Sequence, residues 1–500
     1  MEWQKKQNAA GEKAAGVLMS VASLPGPDGI GSFGKEAYRF VDLLAEMGIR
    51  VWQILPLNPL GYGNSPYQPF SSYAGEPLYI DLGLLEQAGY LSSDRPAYVH
   101  RGEVGRIDYA AAKDYREPWL RKAYAAFREK SWEDPDFLAF REMSWVYPYA
   151  VFIALKQQNG MVCWNTWPRE QQDWILDGAY DISHLEDEIG YQMFLQYQFY
   201  TQWMALKAYA NGKDIRIMGD VPFYVGLDSL DVWSSREDFL LDENWRPSFV
   251  AGVPPDYFSV TGQRWGNPIY NWEAIRRKGF SFWIDRLDYS AKLYDIIRID
   301  HFRAFDTYWK IVASCETAVD GQWVQAPGYD FFEELYRRLP DIQIVAEDLG
   351  DNMEGALRMR DHFDLMGMVI AEFALFTPEA YKPHQLVYTG THDNQTVAGW
   401  YASQTPSQQR RIRRRLSALG KSGERVYRKM VRFVYGTSAE LAVVPVADLL
   451  GLGDEARLNF PGTVGSPNWE WRLTDWKKLR RNAGFVRRVI TESGRGETML

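Results

Sequence analysis

Eight short runs of nearly unbroken apolar residues, separated in several places by helical patterns, restrict the folds open to this chain of 500 residues. They are GVLMSVASL (16 to 24), VWQILP (51 to 56), RIMGDVPF (216 to 223), IIRIDHF (296 to 302), QIVAED (343 to 348), MGMVIAEF (366 to 373), LVYTGTHD (386 to 393) and AELAVVPV (439 to 446). A sheet with one wet face alternates apolar and polar residues, whereas strands covered on both faces read as these do. Between strands, KEAYRFVDLLAEMG (35 to 48) sets Ala37, Phe40, Val41, Leu44 and Met47 at helical spacing and stops at Gly48. YDFFEELYRRLP (329 to 340) repeats the pattern and ends near a proline. Such alternation predicts an α/β fold, a (β/α)8 TIM barrel in preference to a doubly wound sheet.

A minimal barrel needs about 250 residues. The excess falls mainly at 57–215, after the second strand, where long apolar-aromatic stretches predict a mostly helical insertion beside the barrel mouth. A second insertion, 226–290, follows the third strand. With no repeat or low-complexity tract, residues 1–500 read as a single catalytic barrel.

Four of the runs carry a carboxylate toward their carboxyl ends: Asp220, Asp300, Glu347 and Asp393. Corresponding positions on parallel barrel strands place them on one rim, where such barrels keep their chemistry. Crowded, desolvated carboxylates repel one another, so at least one holds its proton near neutrality. One acid and one carboxylate are what retaining glycoside chemistry needs, the two standing about 5–5.5 Å apart.

Composition narrows the partners. A net charge of −9 without a basic patch disfavours nucleic acid and anionic lipid, and points to a neutral substrate. No run approaches transmembrane length. Cys163 and Cys315 lie far apart and outside metal-ligand spacing, which predicts no disulfide, no metal and a reducing, cytoplasmic compartment. Lys5, Lys6 and Lys13 ahead of AAGVLMSVASL imitate a signal peptide. Glu12 interrupts that basic region, and cleavage would delete the first strand of a complete set.

Twenty Trp, thirty Tyr and twenty-five Phe include several in Gly/Pro-rich loops, 61 to 75, 250 to 272 and 457 to 472, where rings can stack on sugars instead of filling a core. Here the chain resembles a known family. NSPYQPFSSYAG, GDVPFYV, AGVPPDYFSVTGQRWGNPIYNW, RIDHFRAF, AEDLG and GTHDN, in this order and spacing, look like the amylomaltases, or 4-α-glucanotransferases. The resemblance runs from about residue 16 to about residue 472, and the loop around PPDYFSVTGQRWGNP is its most specific part. It implies a barrel with insertions and no C-terminal antiparallel β-domain. It implies α-1,4-glucans or malto-oligosaccharides as donor and acceptor, with no cofactor or metal.

Carried over residue by residue, the resemblance makes Asp300 the nucleophile, Glu347 the general acid/base and Asp393 the acid that stabilises the distorted sugar. Arg298, on the same strand face as Asp300, would keep that nucleophile ionised. Burial, Asp300 and Asp393 would raise the pKa of Glu347. Asp220 and His392 are implied as binding residues, as are Ser65, Tyr67, Asp256, Trp265 and Asn459, with Tyr257 and Phe258 on the acceptor side. For His301 the family position favours a supporting role. Other readings remain open at this stage: a buried Asp300–Arg298 salt bridge, a satisfied buried Glu347, and Asp393 as a turn-forming residue. A retaining α-glucan hydrolase, or a non-catalytic glucan-binding protein, would share many of the same features.

Overall fold

The computed structural model describes residues 13–255, 259–350 and 353–496. Among these residues there are twelve strands: β1 (Ala14–Leu18), β2 (Val51–Gln53), β3 (Arg216–Pro222), β4 (Phe249–Val253), β5 (Gln263–Pro268), β6 (Ile296–Asp300), β7 (Thr307–Val312), β8 (Gly321–Gln325), β9 (Ile344–Ala346), β10 (Gly367–Ile370), β11 (Gln385–Tyr388) and β12 (Leu441–Pro445). Eight form one parallel sheet in the order β10-β11-β12-β1-β2-β3-β6-β9. A parallel bridge between Val345 and Met366, with Ala346 N–H donating to the Met366 carbonyl at 2.8 Å, brings the sheet's two edges together into a (β/α)8 barrel.

Each predicted run overlaps one barrel strand, but the strands are shorter than the runs, and β1 and β11 start two and one residues before theirs. The first run reaches Leu24, whereas β1 ends at Leu18 and residues 20 to 24 turn back through Ser23→Ser20 and Leu24→Val21 backbone bonds. The sixth run continues past β10 into a helical turn, Ala371–Ala374. Residues 20 to 24 are buried although they are not a strand, and a buried turn at the mouth is as apolar as the strand it follows; in the sixth run Ala371 is buried but Phe373 is exposed.

The helix Lys35–Met47 buries Ala37, Phe40, Val41, Leu43, Leu44 and Met47 and stops where Gly48 adopts φ 78°, the left-handed conformation that glycine accepts without a Cβ penalty. Phe40 stacks on Trp476 with ring centroids 5.3 Å apart, which docks the C-terminal helix Lys477–Glu492 beside it. No sheet follows β12 among the described residues.

Between β2 and β3 the long elements are the helices Tyr109–Lys130, Val146–Gln158 and Glu186–Asn211. The last is buried along most of its length, and its glutamines hold the loop that follows β2. Gln196 accepts from Gly75 N–H at 2.7 Å and donates to the Gly75 carbonyl at 3.0 Å, while Gln202 accepts from Asp81 N–H at 2.6 Å. A second, antiparallel sheet, β5-β4-β7-β8, is built from the segments after β3 and β6. Sequence reading missed it, because strands such as QRWGNP and GQWVQ are half-exposed and lack the apolar runs of the barrel.

Candidate active site

Asp220 and Arg298 face each other across adjacent strands, since β3 and β6 pair in register with Asp220 opposite Arg298. Both are buried, and Arg298 Nη1 lies 2.7 Å from each oxygen of the Asp220 carboxylate. Burial raises the pKa of Asp220 and Arg298 opposes that rise, so the pair is one buried ionic unit. The same guanidinium turns its Nη2 toward Asp300 Oδ1 at 3.0 Å. Asp300 ends β6 and is partly exposed, as a residue at the mouth of the barrel is.

Glu347 follows β9 directly. Its Oε2 accepts from the backbone N–H of His301, the residue after Asp300, at 2.8 Å, and its Oε1 accepts from Leu349 N–H at 3.2 Å. The two acids are thereby brought together through backbone. Burial, with the charge of Asp300 next, pushes the Glu347 carboxyl up to about 8, against the lowering effects of Arg298 and the His301 N–H. Asp393, expected to contribute, is not among the principal causes; Asp348 takes that place. Asp393 sits on a loop whose position answers to side chains, not on a strand end as its run suggested.

His301 adopts φ 54°, packs edge-on against Trp265 at 4.9 Å, and has a buried Nε2 with no partner among the described residues. Burial lowers its pKa to about 4, so the ring is neutral near pH 7. Trp265 lies on β5, an edge strand of the second sheet.

Across the mouth, Tyr67 donates to Asp220 Oδ2 at 2.9 Å and stacks on His392, with centroids 4.9 Å apart and planes 17° from parallel. Ser65 accepts from Tyr67 N–H at 3.2 Å and so shapes that loop. His392 is buried, and its Nε2 lies 3.4 Å from Asp393 Oδ1. The same oxygen accepts from Asn459 Nδ2 at 2.7 Å, while Asn459 N–H donates to the His392 carbonyl at 3.1 Å. Asp393 keeps 44% of its side chain exposed.

Ser65, Tyr67, Asp220, Trp265, Arg298, Asp300, Glu347, His392, Asp393 and Asn459 therefore form one connected constellation at the C-terminal face. Asp256, Tyr257 and Phe258 lie outside the described residues. Two further residues belong to this cluster and escaped sequence reading. Arg457 donates to the Asp393 carbonyl at 2.7 Å and to the Asn459 carbonyl at 2.7 Å. Trp469 packs on both Tyr67 and His392. The aromatic content of 457 to 472 hinted at Trp469; nothing in the local sequence marked Arg457. Among the described residues no group of three or more His, Cys, Asp or Glu side chains is arranged to hold a metal ion.

A family model described as 4-alpha-glucanotransferase matches residues 19–478. The 4-alpha-glucanotransferase of Thermus thermophilus is 45% identical over 480 residues, covering 92% of this chain and 95% of that protein. The 4-alpha-glucanotransferase of Streptococcus pneumoniae is 42% identical over 478 residues, covering 93% of this chain and 94% of its own length. Among solved structures, the amylomaltase from Streptococcus agalactiae in complex with acarbose superposes with a TM-score of 0.92 at 37% identity, covering 97% of this chain and all of that one.

Proposed function

The chain belongs to the 4-alpha-glucanotransferase family, and from that premise we propose how its own residues divide the reaction. The enzyme transfers α-glucan segments by a retaining mechanism, with malto-oligosaccharides or amylose as donor and acceptor. Asp300 is the nucleophile: its carboxylate oxygen bonds to the anomeric carbon as the glycosidic C–O bond breaks. Glu347 gives its proton to the departing oxygen. In the second half, the acceptor's 4-hydroxyl gives its proton back to Glu347 and bonds to the same carbon, and the Asp300 ester breaks.

The observation that carries this reading is the environment of Glu347. A carboxyl pushed to about 8, beside Asp300 and tied to the adjacent backbone, is protonated at neutral pH and positioned to donate. Asp393, joined to His392 and Asn459, stabilises the distorted sugar. Asp220, Arg298 and Tyr67 form the floor on which the donor sugar sits, while Ser65, Trp265 and His301 line its flanks. By resemblance, Tyr257 and Phe258 serve the acceptor and Asp256 the substrate, a role that would keep water from the ester while it waits for a sugar hydroxyl.

Residues 1–500 act as one catalytic unit, with 57–215 and 226–290 as insertions that shape the mouth. Two free cysteines, and no helix among the described residues long and apolar enough to cross a membrane, support a cytoplasmic location. The test is chromatography of the products from pure maltotriose. Transfer yields glucose together with chains longer than the substrate; glucose and maltose without longer chains would identify a hydrolase instead.

A further inference from the structure

The loop that carries His392 and Asp393 is gripped from behind by two carboxylates with no place in the chemistry. Asp448, on the short helix Val446–Leu450 that follows β12, is buried. One of its oxygens accepts from Thr389 Oγ1 at 2.5 Å and the other from Val397 N–H at 2.7 Å. It thus holds both ends of the segment 389–397. Asp454 adds to the grip near the second end, accepting from Gln395 Nε2 at 2.7 Å and Thr396 N–H at 3.1 Å. Room for that carboxylate exists because residue 399 is glycine, where a Cβ would overlap it. The span that begins at Asp454 then continues to Arg457 and Asn459, which hold the front of the same loop at the Asp393 carbonyl and carboxylate.

We infer that Asp448 and Asp454 are positioning residues for the transfer reaction: through Thr389 and Gln395–Val397 they fix the reach of Asp393 into the donor site. The inference rests on the role given to Asp393 above. The bonds inside the loop do not reach the barrel. Thr391 N–H and Oγ1 both donate to Asn394 Oδ1, which closes a local turn, so the turn's placement is left to groups outside it. A residue that misplaces a transition-state contact lowers kcat and kcat/KM together while KM stays level. A misplacement of about 1 Å can cost a hundredfold.

The experiment measures kcat and KM for glucose release from maltotriose, with Tm, for Asp448→Ala, Asp454→Ala and Gly399→Ala. Each is made in the wild-type chain and in an Asp393→Asn chain, with Asp448→Asn and Asp454→Asn as conservative rescues. In the wild-type chain kcat should fall tenfold or more with KM within about twofold. In the Asp393→Asn chain the same changes should cost less than about threefold, because the contact they serve is already gone. The asparagine variants, which keep a carbonyl oxygen for the loop N–H groups, should recover most of the loss. Equal losses in both backgrounds, or full turnover in a folded Asp454→Ala, would overturn the positioning role while leaving that of Asp393 intact. If Asp448→Ala does not fold, Asp454→Ala and Gly399→Ala decide the matter. Wild-type turnover in Asp393→Asn alone would instead remove the role of Asp393, and the positioning role with it.

Discussion

Two halves of the mouth hold their acids by different means. On the β3–β6–β9 side, Asp220, Arg298 and Asp300 ride on paired strands, and Glu347 is tied to the next strand's backbone. On the β11–β12 side, Asp393 rides on a loop held by side chains drawn from the segment after β12. Register is a property of the whole barrel, so the first set cannot shift without disturbing strand pairing. The second can shift by a few side-chain bonds. On the roles proposed above, the nucleophile and proton donor are held by strand pairing and backbone, and the third acid is left to a loop.

The largest effect should come from Asp300 and Glu347, the pair on the strand side. Asp300→Asn and Glu347→Gln should each lower transfer from maltotriose by a factor of about a hundred or more, since each keeps shape but removes nucleophilicity or proton donation. Far-UV circular dichroism and Tm should stay close to wild type. A variant retaining above about a tenth of the wild-type rate would break the assignment of that residue.

Next, the two halves should differ in what they do to stability. Asp220→Ala leaves Arg298 charged and buried without its main partner, a change that typically costs about 3–5 kcal/mol. Asn459→Ala removes one hydrogen bond to a partly exposed carboxylate, worth about 1.5–3 kcal/mol at most. Urea unfolding should therefore separate them clearly, while Asn459→Ala still loses turnover through Asp393. Equal destabilisation by both would mean that the loop is as integral to the barrel as the strands.

The same contrast explains what could be read from the sequence. The eight runs revealed the barrel because a strand covered on both faces has few polar positions, and acids at the ends of such runs stand out. Their boundaries did not, because Met19–Leu24 is as buried as the strand it follows but bends, and the apolar run of β10 continues into the helical turn Ala371–Ala374. The second sheet was invisible: Trp309 and Trp323 pack on each other across β7 and β8 in a half-exposed ladder whose pattern resembles a loop. Asp300, Glu347 and Asp393 were singled out by pattern and resemblance together. Arg457, Asp448 and Asp454 were not, since they meet the loop through contacts across 51 to 64 residues of chain that no local spacing encodes.

Proton coupling offers a sharper and smaller test. With Glu347 raised to about 8, the kcat/KM profile should fall at its alkaline limb near that value as the acid loses its proton. Because Asp348 and not Asp393 is among the causes, Asp348→Asn should move the limb to lower pH, while residual activity of Asp393→Asn should fall at the wild-type limb. A limb that follows Asp393 would mean that the loop acid approaches Glu347 more closely than its side-chain anchors suggest.

The smallest effect concerns Glu372, just past β10, whose Oε1 is buried with no partner among the described residues. Burial first, then Asp448 and Asp454, push its pKa to about 10. An unfolded glutamic acid titrates near 4.3. Between those values the unfolded chain has released this proton and the native chain keeps it, so stability falls as pH rises through the interval. Below the unfolded value both states are protonated and the penalty vanishes. Glu372→Gln, neutral in both states, should match wild type in Tm at about pH 4 and exceed it by a few degrees at pH 8. Parallel Tm curves would mean that Glu372 ionises alike in both states. The β11–β12 side would then carry one more charged carboxylate than its packing suggests, and the loop beside it would be held against greater repulsion than its hydrogen bonds alone imply.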